Sequence, residues 1–309
     1  MPGIITFSEE RELGKQLLTP ALELKKSLSG PVTVLALNDA DAKELAALGA
    51  DKVLVLQAAG GWPEGLSEAI SGLVSTAAPS IFLVGGTLPG KHIGAYVAAK
   101  LNLAMVTDAK SLKVENGKLL TTRLLFAGLA LCEEESVLPV VATIPSRTFL
   151  PPNAAGKAGA AETVKAETDS RVAISDITRA ESSGVDIGAA TRVVAVGRGF
   201  RKQEDLKLAQ DLASVFHAEI ACSRPVAEEE HWLPIDHYVG ISGHTVKPEL
   251  YVAVGISGQV QHMVGARESK VIAAIDNDEH APIFEAADYG IVGDLYEVLP
   301  LLTAALKKK

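Results

Sequence analysis

Short apolar runs alternate with segments of helical spacing through the first half of the chain. Residues 31–37 (PVTVLAL), 52–57 (KVLVLQ) and 80–85 (SIFLVG) read as strands, and residues 41–48, 66–77 and 93–101 read as helices. A strand that is apolar on both faces suits a parallel sheet covered by helices on either side. Strand and helix in alternation predict βαβ units and a mostly parallel open sheet. Residues 119–131 and 137–144 add later strands.

The pattern then breaks. Residues 145–161 (PSRTFLPPNAAGKAGAA) are rich in Pro, Gly and Ala and carry no stable period. Residues 163–178 alternate weakly, with an edge strand expected at 172–174, and 179–187 (RAESSGVDI) read as a linker. The alternation restarts at 192–196 (RVVAV), followed by a helix over 204–216 and strands at 218–221, 250–254, 271–275 and 289–292. The expected fold is therefore α/β in two domains. Residues 1–184 form an N-terminal domain and 185–309 a C-terminal one, each an open, mostly parallel sheet flanked by helices. The length of 309 residues agrees, at roughly 100–200 residues per domain.

Charge narrows the function classes. Against 38 Asp and Glu stand 29 Lys and Arg, a net of −9. That sign disfavours a general nucleic-acid binder and peripheral attachment to anionic membranes. The uncharged stretch 69–90 is long enough to span a bilayer. However, Pro79, Pro89, four glycines and five Ser or Thr make it a helix end, a turn, a buried strand and a glycine loop. The N-terminal residues show neither an apolar signal core nor an Arg-rich, acid-free character. With only Cys132 and Cys222 and no CxxC, a disulfide framework is excluded and a reducing, cytoplasmic setting is expected.

Four groups of residues invite chemistry. Gly85, Gly86, Thr87, Leu88, Pro89, Gly90, Lys91 and His92 nearly spell a phosphate-binding loop. His92 takes the place of the hydroxyl that would hold Mg²⁺, so a tight strand-to-helix turn is the simpler reading. Glu228, Glu229, Glu230, His231, Asp236, His237 and His244 are open to a metal reading. Their spacing matches no common zinc pattern, which favours a solvated charge run. Third, two pentapeptides share one sequence: Val239, Gly240, Ile241, Ser242, Gly243, and Val254, Gly255, Ile256, Ser257, Gly258. Glycines beside a hydroxyl let the backbone approach a ligand, and amides at a helix start suit phosphate. With Gly197, Arg198 and Gly199, also between strand and helix, they favour a phosphate-rich ligand over three ordinary turns. Fourth, Arg224 and His262 lie near strand ends, where open α/β sheets gather their ligands.

Taken together, residues 250–262 (LYVAVGISGQVQH), Gly265, 271–275 (VIAAI), 281–284 (APIF) and 287–292 (ADYGIV) closely resemble the electron-transfer flavoprotein alpha subunit. The likeness reaches upstream through 248–250, 222–224 and 197–199, and more loosely into the first half through Gly90, Lys91, Lys100, Leu101 and 123–132. It implies a C-terminal domain that binds FAD and an N-terminal domain that pairs with a beta subunit. It further implies a carrier, not an enzyme in its own right, that takes electrons from donor dehydrogenases, as in fatty acid β-oxidation, and passes them to a downstream acceptor. By position, Arg198, Ser223, Arg224, Val239, Gly240, Ile241, Ser242, Ser257, Gly258, Gln259, Val260, Gln261, His262, Asp276, Asp294 and Leu295 match FAD contacts. The resemblance sets Ser257 and its neighbours on the diphosphate, Ser242 at flavin N5, Arg224 over the isoalloxazine and His262 at the N1 and C2 carbonyl edge.

Elementary electrostatics agrees. Electron gain puts negative charge on that edge, which a permanent guanidinium and an imidazole donor stabilise. Two departures stand out. Ser242 replaces a frequent Thr and keeps the hydroxyl with a looser rotamer. Asp276 replaces a usual Asn, and an ionised carboxylate cannot donate where an amide can. Three alternatives remain: a subunit of an electron-bifurcating flavoprotein, with a second flavin in its partner; a nucleotide-binding or deacylating module; and, last, a phosphate-loop NTPase.

Overall fold

The computed structural model describes residues 2–58, 62–126, 128–154, 159–169, 171, 176 and 184–308. The chain divides into two compact units, Met1–Ile177 and Thr178–Lys309. The strand expected at 172–174 and the first part of the expected linker lie outside the described residues.

In order, the first unit contains β1 (Ile4–Phe7), α1 (Arg11–Leu28), β2 (Val32–Ala36), α2 (Asp39–Ala47), β3 (Lys52–Gln57), α3 (Ser67–Ala77), β4 (Ile81–Gly85), α4 (Leu88–Leu101), β5 (Ala104–Val106), β6 (Ala109–Glu115), β7 (Lys118–Leu125), β8 (Ala130–Val137), β9 (Val140–Ile144) and β10 (Ala160–Lys165). Seven strands form a sheet in the order β10-β3-β2-β1-β4-β9-β5, with every neighbouring pair parallel. β1, β4 and β9 are buried along their whole length because both faces are covered. Leu17, Leu18, Leu24 and Leu45 from α1 and α2 close one face, while Ile70, Val74, Ile93 and Val97 from α3 and α4 close the other.

Two central elements escape a hydropathy reading. β1 is only four residues long, yet it pairs with β2 and β4 at once, Ile4 standing opposite both Val32 and Ile81. α1 carries Pro20 inside it. At the sheet margin, β10 is almost wholly exposed, so its alternation is weak.

The strand expected over 119–131 is instead a reversal. β7 and β8 pair antiparallel, with Leu125 opposite Ala130, and β6 completes a separate three-stranded sheet. Phe126 (φ 50°) and Gly128 (φ 85°) are left-handed and turn the chain back between two apolar runs that read as one. The strand expected over 137–144 is likewise interrupted. β8 ends at Val137 and β9 starts at Val140, and Pro139 between them has no amide for a ladder.

The second unit contains β11 (Arg192–Val196), α5 (Leu206–Phe216), β12 (Glu219–Cys222), α6 (Arg224–Glu228), β13 (Leu250–Val254), α7 (Val260–Ala266), β14 (Ile272–Asp276), α8 (Ile283–Ala286), β15 (Tyr289–Val292) and α9 (Leu295–Leu306). Its sheet is parallel throughout, in the order β12-β11-β13-β14-β15. α5 and α9 cover one face through Leu206, Leu212, Leu295 and Leu299. Met263 and Ala266 of α7 cover the other with Ile283 of α8. Register aligns the strand ends, since Val196 stands opposite Cys222 and Val254, and Val254 opposite Ile275. From β11 the chain steps to β12 on one side and then returns to β13 on the other. This leaves a crevice at the carboxyl ends of β11 and β13, where such sheets bind ligands. Among the described residues no helix is long and apolar enough to cross a membrane.

Candidate functional site

A cleft of about 580 Å³ opens at that crevice in the second unit. The turns after β11 and β13 build its floor by touching backbone to backbone. The Gly199 amide donates to the Gly255 carbonyl at 3.1 Å, and a Cβ on Gly199 would come within 2.6 Å of Gly255 Cα. Leu295, at the start of α9, backs both turns. Further along, Gly258 holds φ +79° against the Ile283 main chain, where any side chain would collide. Arg198, Ser257, Gly258 and Gln259 line the cleft from these two turns, and Gln261 lines it from α7.

The paired pentapeptides do different jobs. Residues 254–258 form the β13–α7 turn. Residues 239–243 form a loop folded onto α7, with the Ile241 amide donating to the Gln261 carbonyl at 2.8 Å. Gly265 of α7 packs so closely on Gly240 that a Cβ there would meet Gly240 Cα at 2.8 Å. The loop brings Val239, Ile241 and Ser242 to the cleft wall, and the Ser242 hydroxyl lies 2.7 Å from Tyr238 Oη.

Ser223 and Arg224 enter from the end of β12. Ser223 precedes α6, but its hydroxyl makes no capping bond; the Oγ is buried and without a hydrogen-bond partner. Arg224 is more than half exposed and pairs with Glu228 at 2.9 Å. From α7 comes His262, only 9% exposed. Its Nε2 lies 2.8 Å from the hydroxyl of Tyr251, which is fully buried in β13, while Nδ1 is buried without a hydrogen-bond partner. Burial pushes the imidazole down to about 4, the Val239 main chain acting against this to a lesser degree. Burial also raises the Tyr251 phenol, so it stays protonated. Nearby, burial lifts the Cys222 thiol to about 12, and Asp236 adds to the effect, which leaves it an inert core group.

The structure thus brings Arg198, Ser223, Arg224, Val239, Ile241, Ser242, Ser257, Gly258, Gln259, Gln261, His262 and Asp276 around one cleft. Gly240, Val260, Asp294 and Leu295 do not line it. Gly240 seats α7, Val260 starts it, Asp294 caps α9 by accepting from the Tyr296 amide at 2.9 Å, and Leu295 lies behind the floor. Asp276 ends β14, and its carboxylate accepts from the Asp278 amide at 3.0 Å. Pro225 and Tyr238 line the cleft without a sequence signal that singles them out, while Glu229 reaches it from the acidic run and Ile256 from the second pentapeptide.

The other two groups, Glu229 apart, make structural contacts. Thr87 caps α4 by accepting from the Gly90 amide at 2.9 Å, and Lys91 is taken up by Asp108 at 2.8 Å. His237 is buried against the Ile220 carbonyl at 2.6 Å, His231 leans on the Ala227 carbonyl, and Glu228 holds Arg224. Among the described residues no group of three His, Cys, Asp or Glu side chains is placed to hold a metal ion.

The arrangement suits a long ligand with both anionic and aromatic parts. Glycine turns and Arg198 offer amides and charge, and two buried polar atoms, Ser223 Oγ and His262 Nδ1, await partners. Comparison with known proteins points the same way. Residues 186–267 match the electron transfer flavoprotein FAD-binding domain, and residues 8–169 match the electron transfer flavoprotein domain. The chain is 41% identical over 291 residues to Protein FixB of Escherichia coli O81 (strain ED1a), covering 92% of each protein. It is 41% identical over 293 residues to Protein FixB of Escherichia coli strain K12 / DH10B, with the same coverage.

Proposed function

The chain belongs to the electron transfer flavoprotein family, on the alpha side, and from that premise we propose that it carries FAD as one half of a heterodimer with a beta subunit. In this reading it relays electrons from dehydrogenases to a downstream acceptor. The observation that carries the proposal is the pair of buried, unpartnered polar atoms, Ser223 Oγ and His262 Nδ1, in a cleft at the sheet's switch point. Both residues line the same cleft, so the pair fits a bound ligand with its own donors and acceptors.

The residues present fit the cofactor. Main chain and hydroxyl at Ser257, Gly258 and Gln259 would hold the diphosphate, helped by Arg198, and Asp276 would meet the adenosine end. Ser242 would offer its hydroxyl to the N5 side of the ring. Arg224, exposed on a short helix, is free to exchange Glu228 for the ring's face. His262 would face the carbonyl edge. When bound, the flavin supplies the redox chemistry; the protein orients it, keeps water from its buried edge and places cations where negative charge grows.

The test is to co-purify the chain with its beta subunit and record the visible spectrum and flavin content. A yellow complex with one FAD held by this chain is expected, and Ser223→Ala combined with His262→Ala should strip it. A colourless complex that takes up no added FAD would overturn the proposal.

A further inference from the structure

The side chain least explained by packing alone is Tyr251. Its ring sits in the sheet core with Val239, Val246, Met263 and Ala266, where a Phe would serve equally well. The hydroxyl instead reaches His262 Nε2 at 2.8 Å, with the two ring centroids 6.2 Å apart.

A buried phenol O–H has to donate, because nothing in a dry interior replaces a lost partner. Among the described residues, His262 Nε2 is the acceptor the structure offers it. If Nε2 carried a proton, the phenol oxygen would accept it, and the phenol's own proton would be left without an acceptor among the described residues. With Nε2 bare the phenol keeps its acceptor, and the one ring proton sits on Nδ1, a cleft-side atom that a bound ligand can satisfy.

We propose that Tyr251 is a positioning residue that locks His262 as the Nδ1–H tautomer, so that the imidazole offers the cleft an uncharged hydrogen-bond donor. Burial of both groups supports this, since it holds the imidazole deprotonated and the phenol protonated at neutral pH. The titratable and charged groups around His262 come from every side of the cleft. Arg198 lies on the turn after β11, Arg224 and Glu229 at α6, Tyr238 beside the 239–243 loop, and Asp276 at the end of β14. Cys222 ends β12, near Tyr251. A neutral donor adds directionality without a further charge, leaving the two arginines to supply the positive field. The use of this donor toward a flavin rests on the proposed function; the Tyr251–His262 lock does not.

The test is ¹⁵N NMR of histidine-labelled full-length chain, which distinguishes protonated from bare ring nitrogens. There are seven histidines, and the resonance set lost in His262→Gln identifies the one required. At pH 7 the wild type should show Nδ1 protonated and Nε2 bare. In Tyr251→Phe, which keeps the ring, the tautomers should mix and the affinity for added FAD should fall by about fivefold, as for one lost hydrogen bond. An Nε2–H tautomer or an imidazolium in the wild type would overturn the proposal, as would a Tyr251→Phe protein with unchanged tautomer and FAD affinity. If Tyr251→Phe fails to fold, the wild-type spectrum still decides. If the chain takes up no FAD, the spectrum still reads the lock, and the failure falls on the proposed function alone.

Discussion

His262 is the residue at which sequence, burial and chemistry meet most closely. Its pKa is about 4 in the folded chain, against the usual 6.5, because burial disfavours the charged ring. A depressed folded pKa contributes stability above the unfolded pKa and loses it as pH falls toward the folded one. Urea titrations at pH 7 and pH 5 should therefore show stability falling, by up to about 1.4 kcal/mol per pH unit below roughly 6.5. The decline should be shallower in His262→Gln, and equal slopes in the two proteins would contradict the burial account. Arg224 makes a different point. It is exposed and shared with Glu228, so Arg224→Ala should leave stability nearly unchanged. In redox titration of the flavin-loaded complex it should lower the first reduction potential, by about 1 kcal/mol or roughly 40 mV. Neither the Tyr251–His262 pair nor the Tyr238–Ser242 pair was legible in the residue string. The former joins a strand to a helix across a glycine turn, and the latter crosses a loop whose path nothing local announces.

At the scale of elements, the strands with well-marked edges were legible. The apolar runs at β3, β11, β13 and β15 are bounded by turn-forming or polar residues, and their limits follow directly from the sequence. Elements defined by their neighbours were not. β1 is too short to show a period, and β10 is an exposed edge. The β7–β8 hairpin reads as one run because its turn contains Phe126, a residue that rarely marks a reversal. Glycines show the same division between local and tertiary causes. Gly258 is held at φ +79° against the Ile283 backbone, so Gly258→Ala should cost about 2 kcal/mol or more and abolish FAD uptake. Gly72, exposed in α3 with no atom within 4 Å of where a methyl would stand, should behave oppositely. Gly72→Ala should stabilise by about 0.5–1 kcal/mol, because Gly loses more freedom on entering a helix. Thermal melts of both variants check the pair, and equal shifts would defeat the distinction.

At the scale of the molecule, two units keep separate cores, each a parallel sheet covered on both faces. The cleft belongs wholly to the second. Adding FAD should therefore raise the melting transition of the unit spanning Thr178–Lys309 and leave the other in place. The gain is about 2.7 kcal/mol at a hundredfold excess over Kd. Calorimetry with and without FAD checks this, and two transitions that rise together would mean that the units share the ligand or unfold as one. The net charge of −9 does not oppose an anionic dinucleotide, because glycine turns, Arg198 and Arg224 set the local field at the cleft. By itself the sequence determined the α/β class, most strands of the second unit and the family, since apolar runs and glycine turns are local and survive as text. Tertiary structure alone decided that the paired pentapeptides play unlike roles and that an antiparallel sheet stands apart from the parallel one. It also decided that the Tyr251 hydroxyl meets His262 Nε2 in the core. Each depends on strand register and on which backbones touch, and both arise only when distant segments are brought together in a dry core.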